Sequence, residues 1–87
     1  MYAVIISVTF TDRSAAEGEL GGLVSQVSGA PGFIAGYWVA LSGDKGTAMV
    51  VFDAEGSAQA LAAQAQSAPA GSVTTDSIEV GEVMAHA

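Results

Sequence analysis

The chain has 87 residues, with nine Asp and Glu against two Lys and Arg, no Cys, and a formal charge of -7. Hydrophobic residues make up 51% of it and the mean hydropathy is +0.47. These figures exclude a disordered chain and a division into several domains, so residues 1–87 read as one domain with more apolar content than so short a chain can bury by itself.

Nucleic-acid binding needs clustered cations to displace counterions, and Arg13 and Lys45 stand alone. An anionic membrane surface is disfavoured on the same ground. Without Cys there is no disulfide, thiolate nucleophile or Cys-ligated metal. The one His, His86, has no partner at ligand spacing and reads as part of a solvated tail, so neither a metal nor a cofactor is expected. The first apolar run lacks a cationic flank and is far too short to span a bilayer, which makes a cytoplasmic location the expectation.

In chain order, Tyr2 to Phe10 predicts a strand that is apolar on both faces, with Val4, Ile6, Val8 and Phe10 on one and Ala3 and Ile5 on the other. Such a strand belongs in the middle of a sheet. Ser14-Ala15-Ala16-Glu17 fits a capping box opening a helix whose Leu20, Leu23, Val24 and Val27 form one apolar stripe. Gly18, Gly21, Gly22 and Ser25 form a small-residue stripe on its other side, which fits close approach of a backbone, a helix kept loose so that a cavity can open, or a plain exposed face. Gly29-Ala30-Pro31-Gly32 ends this helix.

A second strand follows from Phe33 to about Leu41, with Phe33, Tyr37, Val39 and Leu41 alternating against Ile34, Gly36, Trp38 and Ala40. Ser42 to Gly46 predicts a hairpin turn, and Thr47 to Phe52 a third strand. Asp53 or Ser57 can cap an alanine-rich helix over about Ala58 to Gln66, with Leu61, Ala62 and Ala65 inward and Ala68-Pro69-Ala70-Gly71 as its stop. A last strand runs from Val73 to about Met84.

Val8-Thr9-Phe10 before Asp12 resembles Val50-Val51-Phe52 before Asp53, so one strand–helix unit is used twice. Asp12 and Asp53 read as residues that start helices, where a carboxylate meets the positive helix end, or less economically as an acid–base pair. The βαββαβ order with right-handed crossovers gives an α+β, ferredoxin-like fold: a four-stranded antiparallel sheet with two helices on one face. The other sheet face would stay apolar and bare, which predicts a homodimer with sheets packed face to face.

Pro31-Gly32-Phe33-Ile34-Ala35-Gly36-Tyr37 after the first helix resembles the antibiotic biosynthesis monooxygenase-like family of dimeric α/β barrels. The resemblance continues through the hairpin to Val50-Val51-Phe52-Asp53 and Ser57-Ala58-Gln59-Ala60-Leu61. It implies a dimeric barrel and a cofactor-independent monooxygenase acting on, or binding, a small aromatic or polyketide-like molecule. Phe52 stands where the family commonly has a Trp at the end of strand three, and Leu61 or Gln64 where it often has a His. The heme-degrading members use an Asn in strand one with a Trp and a His; this chain has no Asn, and Ser7 or Thr9 occupies that region. Heme degradation is therefore not expected, and the alternative is a homodimer that binds a small apolar ligand or simply assembles.

The candidate ligand-binding residues are Ser7, Thr9, Tyr37, Trp38, Met49 and Phe52. Tyr37 and Trp38 are consecutive and point to opposite faces, as a stacking wall and phenol donor or as packing residues with polar tips. Ser7 and Thr9 share the Ala3 and Ile5 face, where they can bind a ligand carbonyl or be satisfied locally, with no base beside them to activate a hydroxyl. With Trp38 and Met49 they are expected to line one cavity. No catalytic residue is assigned.

Overall fold

The structure, a computed structural model, describes residues 1–67 and 71–87. The expected stop at Ala68-Pro69-Ala70 lies outside the described residues. The elements are β1 (Tyr2–Phe10), α1 (Arg13–Ser28), β2 (Phe33–Ala40), β3 (Lys45–Phe52), α2 (Glu55–Ser67) and β4 (Val73–Glu82). They form one antiparallel sheet in the order β2-β3-β1-β4. Both helices lie on one face, the ferredoxin-like arrangement expected from the element order.

The doubly apolar β1 is an inner strand, between β3 and β4. Its register places Val4 beside Val50 and Val80, and Ile6 beside Ala48 and Ile78. Val4, Val50 and Phe52 are fully buried there under Val27 of α1 and Ala58 and Ala62 of α2, with Phe33, Trp38 and Leu61 packed around them. Alanines on α2 let that helix sit close to the sheet, and they mark the centre of the core.

Several boundaries differ from the expectation. The helix α1 starts before Ser14, because Asp12 is in an extended conformation and its carboxylate accepts from the Ala15 N–H at 3.0 Å. Ser14 is inside the first turn, and Glu17 instead pairs with Arg13 at 3.5 Å. Only Val27 of the expected stripe is buried; Leu20 and Leu23 are exposed. Periodicity decides which residues share a helix face, but not how near that face lies to the sheet. The helix α2 likewise begins at Glu55, so Ser57 lies in its first turn and does not cap it. Lys45 and Gly46 belong to β3, the turn being closed by Leu41 N–H to the Lys45 carbonyl at 2.9 Å with Gly43 at φ +72.

Two register shifts set the faces of the sheet. Between Phe33 and Ala35 the pairing with β3 slips, leaving Ile34 as an extra residue. Phe33 therefore faces the helices, not the Tyr37 side as simple alternation expected, and meets Phe52 edge to face at 6.3 Å and 83°. The second shift, between Ser7 and Val8, makes Asp76 the extra residue of β4.

Candidate functional site

On the helix side, a cleft of about 250 Å³ lies between α2, the turn after α1 and the end of β3. Ala30 and Pro31, from the turn after α1, form one wall, and Phe52 forms the floor. The helix supplies the rest through Gly56, Ser57, Ala60, Leu61 and Gln64. Ser57, Ala60, Leu61 and Gln64 follow the i, i+3, i+4, i+7 spacing and so lie along one side of the helix. The turn is held in place by Gly32, at φ +81, whose carbonyl accepts from the Asp53 N–H at 2.9 Å. A Cβ at Gly32 would collide with the Asp53 carboxylate and lie 3.0 Å from Ser57 Oγ, so only glycine lets this turn close on the start of α2.

The walls are chiefly apolar, and the polar groups they offer are the Ser57 hydroxyl and the Gln64 amide. Neither is hydrogen-bonded among the described residues. Among the described residues no lining side chain carries a charge, and no His, Tyr or Trp lines the cleft. It can enclose an apolar body and hold a polar group; it has no acid, base or nucleophile of useful reactivity.

The sheet face turned away from the helices is a second, different surface. In register across it run Ile5, Met49 and Tyr37, with Val51 and Ala35 on one side and Ser7, Thr47 and Val39 on the other. Tyr37 is 59% exposed and Met49 40%, high values for large side chains inside a sheet. At its far end Thr9 donates to Asp76 at 2.7 Å and accepts from Lys45 Nζ at 2.7 Å. The Thr9 hydrogen bond, reinforced by Lys45 beside it, holds the Asp76 carboxyl below the usual aspartate range.

The six expected site residues are thus divided between the two faces. Ser7, Thr9, Tyr37 and Met49 lie on the open face, whereas Trp38 and Phe52 lie on the helix side. The single cavity expected from Ser7, Thr9, Trp38 and Met49 does not form, because Trp38 is one residue out of phase with the others across the sheet. Trp38 instead folds over Gly36, where a Cβ would lie 2.7 Å from its ring. Of the six, only Phe52 lines the cleft. Sequence reasoning missed Pro31, Ser57 and Gln64 as cleft residues; the helical spacing of Ser57, Leu61 and Gln64 was the signal that could have found the last two.

Among the described residues no three His, Cys, Asp or Glu side chains gather in a way that could hold a metal ion, and no helix is long and apolar enough to cross a membrane.

No protein-family model and no curated protein matches the chain. Solved structures do. The heme-degrader MhuD from Mycobacterium tuberculosis, with two hemes bound in its active site, superposes with a TM-score of 0.63 at 18% identity, covering 100% of this chain and 99% of that one. A MhuD point mutant with two manganese protoporphyrin IX bound per active site gives a TM-score of 0.66 at 16% identity, over 100% of this chain and 98% of that one. At such identities what is shared with these structures is the fold.

The cleft of this chain does not fit a heme. Among the described residues it offers no His, Met or Tyr to ligate iron and no cation to meet a propionate. His86 lies in the tail after β4, Lys45 is on the open sheet face, and Arg13 pairs with Glu17 and covers the Phe10 ring at 5.8 Å.

Proposed function

We propose that the protein is a monooxygenase-like homodimer that binds a small, apolar aromatic molecule between α2 and the sheet, and that its own part is to bind and shield that molecule rather than to act as an acid or base. The observation that carries this reading is the cleft over Phe52, with its apolar walls and no reactive side chain. Phe52 supplies an aromatic floor, Pro31 and Leu61 supply flat and branched apolar walls, and Leu61 or Gln64 stands where the family resemblance would put a His. Any oxygenation in such a site draws its electrons from the bound molecule itself.

The homodimer is supported by surface. A folded monomer of 8.6 kDa is expected to expose about 4,700 Å², whereas this chain exposes 5383 Å². Exposed large apolar side chains include Tyr37, Val39 and Met49 on the open sheet face, Leu20 and Leu23 on α1, and Met84 in the tail, which is 96% exposed. Covering the Ile5, Tyr37, Val39 and Met49 face with a second copy removes this apolar surface from water.

The test is a titration of the purified protein with a hydroxynaphthalene, followed by NMR, with oxygen uptake measured alongside. Saturable shifts at Phe52, Leu61 and Gln64, abolished by Ala60→Trp, are the expected result. A binding curve without oxygen uptake beyond the protein-free rate identifies a binding protein; uptake that Ala60→Trp abolishes identifies a monooxygenase. Absence of any saturable shift at the cleft would sink the reading.

A further inference from the structure

The charge and spacing of the polar groups in the cleft narrow what it can accept. Resting on the binding role proposed above, we infer that the cleft selects an uncharged ligand of one or two rings with a hydrogen-bonding group at each end, held by Ser57 and Gln64, and that it rejects anions. Ser57 and Gln64 are two helical turns apart on the same side of α2, about 10 Å along the axis. Between them the wall is Ala60 and Leu61, with Phe52 and Pro31 opposite, so the middle of the ligand meets only apolar atoms. The hydroxyl and the amide can each donate and accept, which suits ligand hydroxyl or carbonyl groups equally.

An anion finds nothing to stabilise it there. The positive end of α2 is the one feature that could attract negative charge, and it is already faced by Glu55 in its first turn and by the Asp53 carboxylate packed on Gly32 beside Ser57. Neither Arg13 nor Lys45 is near, since one pairs with Glu17 and the other with Asp76. The cleft is half open, with Ala60 and Gln64 exposed at its rim, so a carboxylate entering it keeps part of its water but loses the rest without gaining a charged partner, whereas a neutral hydroxyl is satisfied by Ser57 or Gln64. The volume of about 250 Å³ falls below the roughly 300–1,000 Å³ of drug-sized sites, which sets the limit on ring number.

The probes are a dihydroxynaphthalene with hydroxyls at opposite ends and the hydroxynaphthoate in which one of them is replaced by a carboxylate. Titrated into the 87-residue chain near neutral pH, the diol is expected to bind and the naphthoate to bind at least about tenfold more weakly. Ser57→Ala and Gln64→Leu should each weaken the diol about three- to tenfold while leaving the thermal midpoint of the free protein in place. Gln64→Lys should reverse the preference, bringing the naphthoate ahead of the diol. Equal binding of the two probes, or a naphthoate that Gln64→Lys does not improve, overturns this selectivity and leaves the binding role standing. If neither probe shifts any cleft residue, the binding role and the selectivity fall together.

Discussion

Thr9 on β1 donates its hydroxyl hydrogen to the Asp76 carboxylate over 2.7 Å, and the same oxygen accepts from Lys45 Nζ at 2.7 Å. One neutral side chain on the inner strand thereby joins an anion and a cation on the two strands that flank it, which face each other directly only at 3.5 Å. The arrangement depends on the register shift after Ser7, which frees Asp76 from regular pairing.

Replacing Thr9 with Val removes the hydroxyl and keeps the β-branched shape, so the Asp76 carboxyl should titrate at higher pH than in the parent. The folded-state value is depressed, so the linked stability is fully present above the unfolded value and is lost as pH falls through the folded one. The stability gap between parent and Thr9→Val should therefore shrink on acidification below the ordinary aspartate range. Carbon-detected NMR titration of the Asp76 carboxyl measures this, and an unchanged titration in the variant counts against the account.

Gly32 and Gly18 should respond oppositely to alanine. At Gly32 the positive φ and the collision with Asp53 make Gly32→Ala destabilising by about 1–3 kcal/mol. At Gly18 nothing lies within 4 Å of an added Cβ, and the position is inside an exposed helix. Gly18→Ala should stabilise by up to about 1 kcal/mol. Urea unfolding of the two variants beside the parent decides it, and a shared sign would contradict the assignment.

Neighbouring residues Met49 and Val50 point to opposite sides of the sheet and should fail in different ways. Val50→Ala hollows the core beneath the helices and should cost about 2 kcal/mol of unfolding free energy. Met49→Asp puts a charge in the middle of the bare face and should convert a dimer into a species of 8.6 kDa while the monomer stays folded. Sedimentation reads the second and circular dichroism the first. A parent protein that sediments at 8.6 kDa at micromolar concentration would remove the dimer.

Asp12→Ala should lower stability by about 1 kcal/mol through loss of the α1 cap, whereas Ser14→Ala, inside the first turn, should leave stability unchanged or slightly higher. Thermal melts of the two variants distinguish the caps; equal losses would favour the Ser14 capping box.

Much of the chain was legible locally. The two apolar faces of Tyr2 to Phe10 pointed to an inner strand, and β1 lies between β3 and β4. Alternation also separated Tyr37 from Trp38, and the breaker at Gly29 to Gly32 marked the end of α1. Such signals are readable because they are imposed residue by residue: the period of a strand or helix, the φ a glycine permits, the N–H that proline lacks.

The site was not legible in the same way. Whether Phe33 faces Phe52 or Tyr37 turns on a single extra residue at Ile34, and a slip of one moves a side chain through the sheet. Ser57 and Gln64 became cleft residues only because α2 starts at Glu55, which turns their side of the helix toward Ala30, Pro31 and the edge of Phe52. Local chemistry thus established the order and type of the elements and an excess of apolar surface. Which face holds that excess, and where the layers part to leave a cleft, follow from contacts between residues distant in the chain, and local periodicity does not encode the distance between two packed layers.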